Sequence, residues 1–168
     1  MAQIRDYRVI AEPVGPDVSG SDVFERFRAE PNTLAIGVVD EDGHPIGLIE
    51  RHAFTLKMAA EFGRALYARR PVSALMDNCP LVFDGGMDAA TLFQSLDDSE
   101  LGGLLGGFII TENGRYSGVG SGVQVLQAAS ALARRRADEM AALARDLSRA
   151  EAEARASSRA KSEFLAVM

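Results

Sequence analysis

Val38-Val39-Asp40-Glu41-Asp42-Gly43-His44-Pro45-Ile46-Gly47-Leu48-Ile49 is repeated, 71 positions further on, as Ile109-Ile110-Thr111-Glu112-Asn113-Gly114-Arg115-Tyr116-Ser117-Gly118-Val119-Gly120. Each copy is a β-rich run, an acidic-then-glycine turn, and a second run carrying a glycine. Asp-Gly and Asn-Gly tolerate the positive φ of tight primed turns, so each copy is expected to fold as a hairpin. Two hairpins in one register point to a duplicated unit.

The flanks repeat as well. Val23, Phe24 and Phe27 before the first hairpin, and Leu92, Phe93 and Leu96 before the second, have the spacing of a helical apolar stripe. Ser21 and Asp88 are candidate N-caps for these helices. After the first hairpin, Phe54, Met58, Phe62 and Leu66 predict one amphipathic helix ending before Pro71. The glycine-rich run Leu101–Gly107 lacks the Lys-Ser/Thr of a phosphate loop, precedes a strand, and is read as a flexible link.

From Gly122 to Met168 there is no proline and no further glycine. A heptad frame places Leu126, Ala133, Met140, Leu147, Ala154, Lys161 and Met168 at one core position, and Ala129, Arg136, Leu143, Ala150, Ser157 and Phe164 at the other. The seam is apolar from Met140 to Ala154 and interrupted at Arg136 and Lys161. A helix of this length needs a partner for that seam, and a homodimeric coiled coil is expected, with Met140, Leu143, Leu147, Ala150, Ala154 and Phe164 at the contact. The competing reading is a solvated tail.

Charge and composition exclude several functions. The 18 basic and 24 acidic side chains leave −6, unlike a general nucleic-acid binder. One cysteine, Cys79, permits no internal disulfide, and His44 and His52 are too few for most metal constellations. No apolar run reaches membrane-spanning length and no secretory leader is visible, so a cytoplasmic location is expected. No nucleophile–base pair or carboxylate dyad is legible: no catalytic residue and no metal ligand is assigned, and an enzyme is not expected. Arg134-Arg135-Arg136 reads as a solvated helix face.

The duplicated helix–strand–turn–strand–helix pattern resembles a tandem pair of cystathionine-β-synthase-type (CBS) domains. Pro71-Val72-Ser73-Ala74-Leu75-Met76-Asp77, followed by Pro80-Leu81-Val82-Phe83, resembles the V-x-x-L-M opening and short first strand of such a repeat. The resemblance implies an α+β fold, with a first CBS repeat over residues 1–69, a second over 70–130, and a signalling helix over 131–168. The final run, Ala160-Lys161-Ser162-Glu163-Phe164-Leu165-Ala166-Val167-Met168, resembles the segment preceding the phosphoacceptor box of sensor histidine kinases. This implies the N-terminal regulatory and dimerising input module of such a kinase. Its partners would be a kinase domain in cis, which uses ATP, and a response regulator. The alternatives are a small-molecule (adenine nucleotide) sensing CBS module, or the same module attached to a cyclic-dinucleotide signalling output.

CBS clefts often take adenosine-containing ligands through Gly-x-x-Thr/Ser-x-x-Asp. Here the first copy reads Gly47-Leu48-Ile49-Glu50-Arg51-His52-Ala53 and the second Gly118-Val119-Gly120-Ser121-Gly122-Val123-Gln124. Neither has the ribose-binding carboxylate, and Glu50 would repel a phosphate. A nucleotide is therefore disfavoured, and no cofactor is assigned to this segment. The candidate ligand residues are Arg51, Arg64, Met76, Ser121 and Gln124. For Arg64, Arg69 and Arg70, a place at a helix end is the favoured alternative to anion binding.

Overall fold

A computed structural model describes residues 3–95 and 98–168. The chain divides into two units, Met1–Gln127 and Ala128–Met168. The first holds helix α1 (Gly20–Ala29), strands β1 (Ala35–Val39) and β2 (Pro45–Glu50), and helices α2 (Arg51–Ala59) and α3 (Gly63–Tyr67). Strand β3 (Val82–Asp84), helices α4 (Ala89–Ser95) and α5 (Asp98–Gly106), and strands β4 (Phe108–Glu112) and β5 (Arg115–Gly120) follow. Helix α6 (Gly122–Val167) begins in this unit and supplies the second.

Both expected hairpins form. β1 and β2 pair antiparallel, Ala35 opposite Glu50, and β4 and β5 pair antiparallel, Phe108 opposite Gly120. The turns differ. Asn113 (φ 53°) and Gly114 (φ 77°) are both left-handed, as a primed turn demands. In the first hairpin only Gly43 has positive φ; Asp40 Oδ1 instead accepts from the Asp42 and His44 amides, at 3.0 and 2.8 Å, and closes a longer loop.

The two halves exchange their opening segments. Asp77 bridges Leu48 of β2, and its counterpart Val9 bridges Val119 of β5. Val14 pairs parallel with Val38 of β1, as Val82 pairs parallel with Ile109 of β4. The cores follow the exchange. Val72 and Leu75 pack with Val23, Phe27, Ile36 and Phe54, while Ile4 packs with Leu92, Leu104, Phe108 and Ile110. A third cluster, with Ala35 and Leu48 from one hairpin and Ile109 and Val119 from the other, joins them. β1 and β4 are thus covered on both faces, which is why their sequences are continuous apolar runs rather than alternating ones. Packing therefore does not follow a boundary near residue 70.

Three local readings need correction. The N-cap of α1 is Ser19, whose Oγ accepts from the Asp22 amide at 3.2 Å, and Ser21 lies inside the helix. Asp88 does cap α4, accepting from Ala90 and Thr91. The helix expected through Phe54, Met58, Phe62 and Leu66 breaks at Phe62, which is left-handed (φ 64°) and 72% exposed. The break turns the chain so that Tyr67 and Ala68 pack on the core, and the Ala68 and Arg70 carbonyls accept from Ser21 and Gly20 at the start of α1. That satisfies orphan first-turn donors, which the straight helix would not. The Leu101–Gly107 run is helical through Gly106, because Leu104 anchors it in the second core. Leu96, and the side chains of Phe93 and Ala129, lie outside the described residues.

Candidate functional site: a cleft at the start of α2

The turn from β2 into α2 forms one wall of a cleft of about 190 Å³. Leu75, Met76 and Asp77 form a second wall, and Gly103, Gly106 and Gly107 a third. Met76, expected as a ligand residue, does line this cleft, its sulfur lying against Gly47 so closely that a Cβ there would push the thioether aside. The counterpart contact is Arg8 against Gly118. Close approach therefore explains why both repeats carry a glycine at this point of the second strand.

Glu50 caps α2. Its two carboxylate oxygens accept from the His52 and Ala53 amides, each at 2.7 Å. These first-turn donors are what a helix N-terminus would offer a phosphate, so the chain has supplied its own anion there. On the inner side, Lys57 Nζ donates to the Leu75 carbonyl at 3.3 Å. What remains is a mainly apolar slot, bounded by Leu48, Phe54, Leu75 and Met76 and lined also by Glu50, Lys57 and Asp77.

The other candidates are not brought to this cleft. Arg51 faces away from it: its guanidinium donates to the carbonyls of Thr33 (2.6 Å), Phe27 (2.7 Å) and Glu30, and lies over the Phe27 ring at 4.7 Å. It closes the C-terminus of α1 and is structural. Arg64 stacks over Phe24 at 5.1 Å and Arg70 over Tyr67 at 5.8 Å, so they do not converge as an anion clamp. Ser121 and Gln124 cap α6 reciprocally. The Ser121 amide donates to Gln124 Oε1 at 3.3 Å, and the Gln124 amide to Ser121 Oγ at 3.4 Å. Ser-x-x-Gln before a helix is the signature of a capping box, a signal that the ligand-motif reading passed over. Lys57 and the glycine wall of α5 carry no such local signal.

No protein-family model matches this sequence, and neither does any curated protein. Solved structures do. A CBS-domain containing protein from Agrobacterium tumefaciens superposes with a TM-score of 0.58 at 24% identity, over 75% of this chain and 98% of that one. The chain has the CBS-pair fold. A CBS-pair protein from Arabidopsis thaliana, CBSX2, gives a TM-score of 0.60 at 17% identity, over 79% of this chain and 96% of that one. That protein has also been solved in complex with AMP, and the complex matches this chain with a TM-score of 0.59. Within the CBS pair, Glu50 and Ser121 hold equivalent places, each capping the helix that follows the second strand of its hairpin.

α6 is one helix over 46 residues. On it Met140, Leu143, Leu147 and Phe164 are exposed, between 62 and 74%, and Ala150 and Ala154 are exposed with them. No helix among the described residues is long and apolar enough to cross a membrane.

Proposed function

We propose that this chain is a non-catalytic regulatory CBS module that dimerises through α6 and controls a cytoplasmic sensor histidine kinase. The carrying observation is that the helix following β5 runs unbroken to the segment Ala160–Met168, which resembles the run before a phosphoacceptor box. The exposed apolar side chains Met140, Leu143, Leu147 and Phe164 on the same helix support a second copy of this chain as the partner. Phosphotransfer to a response regulator belongs to this reading, and ATP would be used by the kinase rather than by the module. The gene's reading frame past codon 168 is the test. A Ser-His-Glu phosphoacceptor box followed by an ATP-binding domain is expected; a stop codon or a cyclic-dinucleotide domain would overturn the kinase reading.

Nucleotide sensing is the second reading, favoured by the AMP complex of a structure with the same fold. Here the position of the ribose carboxylate is taken by Ala53 and Gln124, and both helix N-termini are capped from within the chain. Calorimetry with AMP, ATP and S-adenosylmethionine is expected to show no binding in the low micromolar range. A low-micromolar dissociation constant for any of them would establish the second reading.

A further inference from the structure

The heptad seam of α6 has rims, and their charge is one-sided. In a two-stranded coil the rim positions are the residue before each member of the Met140–Leu147–Ala154 row and the residue after each member of the Leu143–Ala150–Ser157 row. Between Ala137 and Ala160 these positions hold Glu139, Asp146, Glu151 and Glu153, with Ala or Ser at the rest and no basic residue. The cations of the helix stand elsewhere. Arg134, Arg135, Arg145, Arg149, Arg155 and Arg159 fall at outer positions, while Arg136 and Lys161 lie on the seam beyond the two ends of the acidic stretch. All four rim acids are exposed. Arg135, Arg149 and Arg155 are four residues from Glu139, Glu153 and Glu151, yet the ion pairs found among the described residues all lie outside α6.

We infer that these acidic rims make the α6 contact between two copies of the chain a charge-restrained one, held weak by like-charge repulsion and tightened by rising ionic strength. The inference rests on the reading of a second copy as the partner of α6. The repulsion does not depend on which way the copies run. In a parallel pair Asp146 faces Glu151 of the second copy. In an antiparallel pair, rim residues of the same row meet. Asp146 then faces Asp146 or Glu153 of the second copy in the two registers that best overlap the apolar stretches. Like charges so placed oppose association. Arg136 and Lys161 do not cancel the effect, because two cations against four acids leave the shared face negative. Met140, Leu143 and Leu147 supply the attraction, and the rims limit it. Dissolved ions screen exposed carboxylates, and the screening length shrinks from about 30 Å at 0.01 M salt to about 3 Å at 1 M.

The test is sedimentation equilibrium of the full chain at about 25 mM and about 500 mM sodium chloride. The rim variant Asp146→Asn/Glu151→Gln removes two charges that face the second copy. Asp138→Asn/Glu163→Gln removes two acids from outer positions of the same helix and is the charge-matched control. All four positions are exposed, so the fold accommodates the substitutions. The wild type is expected to associate about fivefold more tightly at the higher salt. At the lower salt the rim variant should associate about fivefold more tightly than wild type, and its salt response should be less than half as large. The control should stay within twofold of wild type in both salts. Association that weakens with salt, or a rim variant that matches the control, overturns the inference while leaving the dimer standing. A wild type and a rim variant that are both monomeric in both salts would remove the second copy as the partner, and the inference with it.

Discussion

Removing the Arg51 guanidinium would uncover the carbonyls of Phe27, Glu30 and Thr33 together and strip the cation from the Phe27 ring. Charged hydrogen bonds of this kind contribute about 1.5–3 kcal/mol in all but the most exposed settings. Arg51→Ala is expected to lower stability by about 2–3 kcal/mol in urea unfolding. Arg51→Lys should recover only part, because an ammonium cannot fork to three acceptors. Neither change should alter the shape of the cleft. Tyr116 carries a pH dependence. Its ring covers Gly37, its hydroxyl donates to the Ala11 carbonyl at 2.7 Å, and burial pushes its pKa up to about 12. Below the ordinary tyrosine value near 10, both folded and unfolded chains keep the proton. Between about 10 and 12 the unfolded chain ionises first, so stability falls as pH rises through that window. Urea midpoints at pH 9, 10 and 11 should show a steeper decline for wild type than for Tyr116→Phe. Equal declines would assign the slope to other groups.

At the scale of the element, α6 makes a prediction about phase. Inserting one alanine after Arg149 turns everything beyond it by about 100°, moving Ala154 and Phe164 off the line of Met140 and Leu147. Inserting seven residues restores that line with about 20° of drift. Sedimentation equilibrium is expected to show a dimer for wild type and the seven-residue insertion, and at least tenfold weaker association for the single insertion. Equal association in all three would mean that the seam does not hold the dimer. The continuity of α6 was readable because helix formation here depends only on residues within a turn or two of one another. The break at Phe62 was not, because Phe54, Met58, Phe62 and Leu66 keep unbroken helical spacing. What breaks that helix is the need of α1, far earlier in the chain, for the carbonyls of Ala68 and Arg70.

At the scale of the whole molecule, the unit Met1–Gln127 is held by an exchange of segments between its halves. Ile4 is fully buried, yet its neighbours are Leu92, Leu104, Phe108 and Ile110 of the second half. Its counterpart Val72 is buried in the first half. Ile4→Ala is therefore expected to cost about 2–5 kcal/mol, as deletion of a large buried side chain does. Hydrogen exchange should locate the damage in β4 and β5 rather than in β1 and β2. Val72→Ala should do the reverse, with a smaller cost for the smaller side chain. Loss of protection confined to β1 and β2 in Ile4→Ala would contradict the exchange.

Local information determined the hairpins around Gly43 and Gly114, the stripe of Val23 and Phe27, the Asp88 cap and the continuity of α6. Each of these is set by residues within a turn or two of one another, where glycine, spacing and capping chemistry act directly. The resemblance carried by Pro71–Phe83 also pointed correctly to the fold. Only tertiary structure decided that Val9 pairs with β5 while Asp77 pairs with β2, because equivalent segments in a duplicated chain have nearly equivalent local preferences. It likewise placed Arg51 on the end of α1, left Met76 in the cleft, and brought α5 between that cleft and Gly122. Those contacts join residues tens of positions apart, and their energies come from carbonyls, ring faces and packing surfaces that exist only once both partners are folded.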